Sequence, residues 1–116
     1  MEQIRIVLVD MPRLLRDVVR TAATDEWLRV VREYARPVEL LDAVERARAR
    51  VVVAGAGAHD TDAVRRLLRA HPEVKVLAIR DDGRDTTLWE LRPHRKRLGE
   101  LSPTALRAAI HEAVED

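Results

Sequence analysis

The chain has 116 residues, with 21 basic and 20 acidic side chains, a formal net charge of +1 and no cysteine. This length predicts one domain, spanning residues 1–116, with a single core. The balanced charge argues against a general attraction to nucleic acid or to anionic membranes. Without cysteine, disulfides, thiolate catalysis and cysteine-bound zinc are excluded. The apolar runs are strand-length and residues 1–3 do not resemble a signal peptide, so we expect a soluble cytoplasmic protein.

The first predicted strand covers residues 4–9 and ends at Asp10. Pro12 follows at a position where a helix can begin without losing a useful amide hydrogen. The helix that it starts has one apolar stripe, formed by Leu14, Leu15, Val18, Val19, Ala22 and Ala23. Residues 27–34 predict a second, more polar strand, which we place at the edge of the sheet.

The sequence VVVAGAG at residues 51–57 predicts the middle strand of an α/β sheet. A strand that is apolar on both faces needs helices above and below it, and helical patterns flank it at residues 38–48 and 62–71. Ligands bind at the carboxyl end of such a strand. Here that end carries Gly55, Ala56 and Gly57, which offer no acid, base, nucleophile or metal ligand.

Residues 74–79 predict a fourth strand, so three β-α units in succession imply parallel strands with right-handed crossovers. The pattern then changes. Residues 81–85 predict an exposed turn, residues 86–91 alternate as in a strand, and residues 96–101 form a second short extended piece. We therefore expect an extended arm or a β-hairpin over residues 86–98. Ser102 and Pro103 start the last helix.

This order of elements resembles the response-regulator receiver domain over nearly the whole chain. The resemblance is carried by IRIVLVDMPRLLRDVV at residues 4–19, by the central strand with its following loop and helix, by VKVLAI at residues 74–79 and by LSPTALRAAI at residues 101–110. It implies an α/β, flavodoxin-like, doubly wound parallel sheet of five strands in the order 2-1-3-4-5. The helix that normally follows the fourth strand would be replaced by the extended arm or hairpin.

The receiver family uses five positions for phosphoryl transfer, and the resemblance places them on Asp10, Met11, Gly55, Arg80 and Gly99. Only Asp10 keeps the family residue, as one of two acids that hold magnesium. Its neighbour is Met11, Gly55 stands at the phosphate-accepting aspartate, Arg80 at the Ser or Thr, and Gly99 near the lysine of the fifth strand. The resemblance thus implies a degenerate, stand-alone pseudo-receiver with no metal, no cofactor and no output domain.

Three further interpretations concern this same edge of the sheet. We expect Arg80 to occupy the vacated pocket and to reach toward Asp10, Asp60 or Asp62. His59, Asp60 and Asp62 could approach Asp10 and imitate a metal site, but helix-start residues explain Asp60 and Asp62 more simply. No residue set suggests catalysis, so we do not expect an enzyme.

One local excess of charge lies in the predicted arm. It comprises Arg92, His94, Arg95, Lys96 and Arg97, and the apolar residues Leu88 and Trp89 lie next to it. A solvated hairpin tip explains this cluster most simply. If it is functional, arginines around a Trp favour a protein partner or a symmetric homodimer over nucleic acid, and no membrane role is expected. The alternative is a small-anion or nucleic-acid binder that uses Arg80 and the basic cluster.

Overall fold

The structure is a computed structural model that describes residues 3–23, 26–55, 61–80, 83–92, 95 and 97–115. Its elements run in the following order: β1 (Ile4–Val9), α1 (Arg13–Ala22), β2 (Leu28–Tyr34), α2 (Leu40–Ala47), β3 (Val51–Ala54), α3 (Thr61–Ala70), β4 (Lys75–Arg80), β5 (Asp85–Trp89) and α4 (Pro103–Glu115). The five strands form one sheet in the order β2-β1-β3-β4-β5. This order confirms the flavodoxin-like prediction.

The outermost strand β5 differs from the prediction in its direction and its position in the chain. Strands β2, β1, β3 and β4 are parallel, whereas β5 pairs with β4 antiparallel, with Arg80 opposite Asp85 and Val76 opposite Trp89. Only four residues separate the two strands, which is too short for a parallel crossover and dictates a hairpin. The strand expected over residues 86–91 therefore forms, but it pairs with β4, and the described residues 97–101 form no second strand of the hairpin expected over residues 86–98.

One face of the sheet is covered by α2 and α3 over its central strands. A row of side chains crosses this face at the same level, from Val7 through Val52 and Val76 to Trp89. The three valines are inaccessible to solvent, and Trp89 packs against their cluster while half-buried. The helices contribute the remaining buried apolar side chains, among them Leu40, Val44, Val64 and Leu67. We call this side the covered face.

The opposite face carries only α1, and its cover is incomplete. The corresponding row runs from Leu8 through Val53 and Leu77 to Leu88, and exposure rises along it from 0% at Leu8 and 4% at Val53 to 51% at Leu88. Leu15 and Val19 of α1 pack near the low-exposure end. The far end, on β4 and β5, has no helix above it among the described residues. A sheet face of this kind is normally buried.

Helix α4 begins where the sequence predicts, because the Ser102 hydroxyl accepts a hydrogen bond from the Ala105 amide at 3.1 Å. Its apolar side chains are nevertheless exposed, at 47% for Leu106 and 54% for Ile110. The molecule measures 56 × 33 × 27 Å, with a radius of gyration of 17.8 Å. A compact chain of this length would have a radius of gyration of about 13 Å. The C-terminal helix therefore stands away from the sheet. Among the described residues, no helix is long and apolar enough to cross a membrane.

Candidate functional site

The carboxyl ends of β1 and β3 meet in direct backbone contact, at the place where the receiver family holds its phosphate-accepting aspartate. A Cβ atom added to Gly55 would lie 2.0 Å from the carbonyl oxygen of Asp10 and 3.0 Å from its carbonyl carbon. Both backbones are held in place, because the Gly55 amide donates to Val9 and the Asp10 amide donates to Tyr34. No side chain of any kind fits at position 55 without a shift of the main chain.

Asp10 has a left-handed backbone conformation, with φ of 52°. Aspartate and asparagine tolerate this conformation better than other residues that carry a Cβ atom. The aspartate at this position is thus explained by the turn that it makes, without any appeal to magnesium. Among the described residues, no group of three or more His, Cys, Asp or Glu side chains lies close enough to hold a metal ion.

Met11 is a core residue. Its side chain is only 4% exposed and packs in an apolar cluster with Ile6, Leu8 and Val53, beneath α1. An acidic side chain in this position would have to place its charge among hydrocarbon side chains, which is costly. The position that the resemblance aligns with a magnesium carboxylate therefore contributes packing energy in this chain.

Arg80 and Gly99 are the other two positions that the resemblance aligns with the phosphoryl-transfer residues. Arg80 ends β4 as an exposed residue opposite Asp85, and the prediction that it reaches into the space at the ends of β1 and β3 stays a prediction. Gly99 lies ten residues beyond the end of β5 and is exposed, with φ of 80° and nothing within 4 Å of an added Cβ atom. Gly99 therefore has none of the close packing that Asp10, Met11 and Gly55 show at the ends of β1 and β3. Of the acids expected near Arg80, Asp62 starts α3, and Asp60 and His59 lie outside the described residues.

The predicted basic cluster is only partly described. Arg92 forms an ion pair with Glu90, which also lies 3.6 Å from the ammonium group of Lys75. The hydrogen bond from Arg92 is the main cause that lowers the pKa of the Glu90 carboxyl. Arg95 and Arg97 are exposed, and His94 and Lys96 lie outside the described residues. The charge of Arg92 is thus balanced locally, which reduces the positive excess of the cluster.

Leu88 and Trp89 point to opposite faces of the sheet, as their alternation predicts. Trp89 anchors β5 against the covered face, whereas Leu88 lies on the opposite face and is largely exposed. Leu88 is thus a large apolar side chain that faces outward from the sheet. Leu91 is exposed as well.

Sequence reasoning did not identify a second exposed apolar group, on α1. Leu15 and Val19 face the sheet, and Arg20 reaches Glu33 on β2. Leu14 and Val18 lie on the other flank of the helix, turned away from β2 and toward the side of β3 and β4. They are 72% and 58% exposed. The signal in the sequence is the width of the apolar stripe of α1, which is broader than one contact with a sheet requires.

Comparison with known proteins identifies the fold. No protein-family profile matches the chain, and no functionally curated protein matches it in sequence. Among solved structures, the chain is similar to the isolated REC domain of RcsB from Salmonella enterica serovar Typhimurium in the presence of the phosphomimetic BeF3⁻. The TM-score is 0.53 at 14% identity, over 95% of this chain and 72% of that chain.

Two longer RcsB structures give the same result. The chain matches the RcsB response regulator of Salmonella typhimurium, in a study of conformational dynamism for DNA interaction, with a TM-score of 0.55 at 16% identity over 69% of this chain. It also matches RcsB bound to promoter P1flhDC, with a TM-score of 0.53 at 16% identity over 68% of this chain. The matches span 44% and 43% of those two RcsB chains. The chain has a receiver-like fold.

Proposed function

We propose that this chain is a pseudo-receiver: a signalling module that acts by docking to another protein and does not transfer a phosphoryl group. The observation that carries the proposal is the contact between Gly55 and the Asp10 carbonyl, which leaves no space for a phosphate-accepting side chain. Burial of Met11 supports it, because the second acidic ligand of the receiver family is replaced by a core residue. We further propose that the protein is not an enzyme and is cytoplasmic.

The first experiment tests the chemistry. The full chain is incubated with acetyl phosphate and magnesium and its intact mass is measured, beside a receiver domain that has all five family residues. We expect no addition of a phosphoryl group to the native chain. We expect none in Gly55→Asp either, because the new side chain would collide with the Asp10 carbonyl. A base-labile phosphoryl addition to the native chain would overturn the proposal.

The docking surface that we propose is the exposed side of β5 and the segment that follows it. Leu88 and Leu91 supply apolar contacts, and Arg92, Arg95 and Arg97 lie at the rim. An apolar centre with a charged rim is the usual composition of a protein interface. Trp89, which packs inward, supports this surface from below.

The second experiment tests docking. The native chain and the variants Leu88→Glu and Thr87→Glu are immobilised, and each is used to capture proteins from an extract of the host at low and at high salt. The proteins captured by each variant are compared with those captured by the native chain. Thr87 is the matched control, because it is exposed on the same strand but points to the opposite face. We expect capture that tolerates salt, that Leu88→Glu abolishes and that Thr87→Glu preserves. Capture that salt abolishes and that neither variant affects would favour the anion or nucleic-acid alternative.

A further inference from the structure

Two apolar surfaces are left largely uncovered by the residues that the structure describes, and they match each other. The first, which we call the open patch, comprises Leu77, Ile79 and Leu88 on the sheet and Leu14 and Val18 on the flank of α1. Leu77 and Leu88 are cross-strand partners, and Ile79 lies two residues along β4 on the same face. The second is the apolar side of α4, formed by Leu106, Ala109, Ile110 and Ala113.

The position of α1 makes the open patch a groove. An added Cβ atom on Gly83, in the turn between β4 and β5, would lie 3.3 Å from the Cδ2 atom of Leu15. The first turn of α1 therefore approaches this hairpin at one end of the patch. Leu14 and Val18 then form one wall of the groove and the side chains of β4 and β5 form its floor.

Helix α4 fits this groove in length and in character. Its 13 residues span about 20 Å, and the six residues of β4 also span about 20 Å. A helix of 13 residues is marginal in water unless its apolar side is packed. Leu98 and Leu101, just before the helix, are also exposed, so the apolar surface continues past the first turn.

We propose that α4 of one chain packs into the open patch of a second copy, whose own α4 packs reciprocally into the first. In the structure α4 stands away from its own sheet, which is the arrangement of each protomer in a dimer that exchanges a terminal element. Exchange also completes the α/β architecture, because the open end of the α1 face receives the helix that it lacks.

The available apolar area is close to what such a dimer needs. Seven large aliphatic side chains of the two surfaces and the adjoining segment are between 47% and 80% exposed: Leu14, Val18, Leu88, Leu98, Leu101, Leu106 and Ile110. At about 100 Å² per fully exposed side chain, they offer on the order of 400 Å² of apolar area per chain. A stable interface buries about 800 Å² per partner, of which a little over half is apolar.

Cysteine cross-linking tests the exchange directly, because the native chain has no cysteine. Two separately tagged single variants, Leu88→Cys and Ile110→Cys, are mixed and oxidised. We expect a disulfide between the two different chains and none when either variant is oxidised alone. If α4 instead closes on its own sheet, a chain with both substitutions forms an internal disulfide at monomer mass and the mixture stays uncrosslinked, which overturns the proposal.

Solution mass gives the second measurement. We expect light scattering to give twice the monomer mass for the native chain. For Ile110→Glu we expect dimerisation at least about tenfold weaker than in the native chain. Ala108→Glu is the control, because Ala108 is exposed on the opposite side of the same helix. A monomer at high concentration, or a dimer unaffected by Ile110→Glu, would refute the exchange. The inference rests on the docking role proposed above and names a second copy of the chain as the partner that covers Leu88, while the phosphorylation test and the cross-linking test fail independently of each other.

Discussion

Replacing Gly55 by alanine should destabilise the protein far more than a single methyl group would suggest. The added Cβ atom would lie 2.0 Å from the Asp10 carbonyl oxygen, whereas ordinary contacts begin at 3.4 Å. The two backbones would have to separate by about 1.4 Å at this point. Two main-chain hydrogen bonds oppose this movement, from Gly55 to Val9 at 2.9 Å and from Asp10 to Tyr34 at 2.8 Å.

The magnitude follows from these contacts. Overpacking of a tight site costs about 1–3 kcal/mol, and each weakened backbone hydrogen bond adds about 1 kcal/mol. We therefore expect Gly55→Ala to lose about 3–5 kcal/mol, a large part of the roughly 5–15 kcal/mol that stabilises a domain. In urea this loss corresponds to a fall of about 2–3 M in the unfolding midpoint.

The matched control is Gly99→Ala. Gly99 has a positive φ of 80° but no atom within 4 Å of an added Cβ, so only backbone strain of about 1 kcal/mol opposes alanine there. Urea unfolding of the native chain and both variants, followed by far-UV circular dichroism, gives the comparison. If Gly55→Ala is no less stable than Gly99→Ala, β1 and β3 have room between their ends and the argument against a phosphate-accepting residue fails.

Three further predictions concern stability. Trp89→Ala should cost about 2 kcal/mol, because the indole packs on the covered face, whereas Trp27→Ala, at a more exposed site, should cost less than half as much in the same urea assay. Arg48→Gly should raise stability by about 0.5–1 kcal/mol, because Arg48 ends α2 with φ of 52°; an unchanged or lower urea midpoint would show that no strain is stored there. The pKa of the Glu90 carboxyl is lowered, chiefly because Arg92 donates a hydrogen bond to it. The stability that this ion pair adds to the folded state is therefore present above the unfolded-state pKa of about 4.5, and it is lost as the pH falls through the lower pKa of the folded state. Glu90→Gln should therefore lose stability less steeply than the native chain below about pH 4.5, and parallel pH profiles would contradict this.

The sequence was sufficient for the order of the elements and for most of the central sheet. The apolar run at residues 51–54 predicts a strand buried on both faces, and it forms β3 in the middle of the sheet. The Ser102 cap, the Asp42 to Arg46 ion pair and the edge position of β2 were also predictable, because each follows from local residue chemistry.

What could not be predicted depends on distances between segments that are remote in the chain. Alternation over residues 86–91 indicates a strand, but the same alternation fits a parallel or an antiparallel neighbour, so the direction of β5 was not specified. The spacing of Leu106 and Ile110 is the same whether α4 packs or stands free. The glycine at position 55 predicted a missing nucleophile, but the closure of the main chain around it is a property of two strands together.

The antiparallel edge also affects the order in which the sheet assembles. Val76 pairs with Trp89, thirteen positions later in the chain, whereas Ile6 must find Val51, forty-five positions away. Closing the longer loop costs about 1 kcal/mol more in chain entropy, and hairpins form within about 1–10 μs. The β4–β5 pair is therefore an early, local structure, and joining β1 to β3 is the slower event. The contact of Gly55 with Asp10 belongs to that later event, so the backbone contact on which the pseudo-receiver proposal rests is completed late in folding.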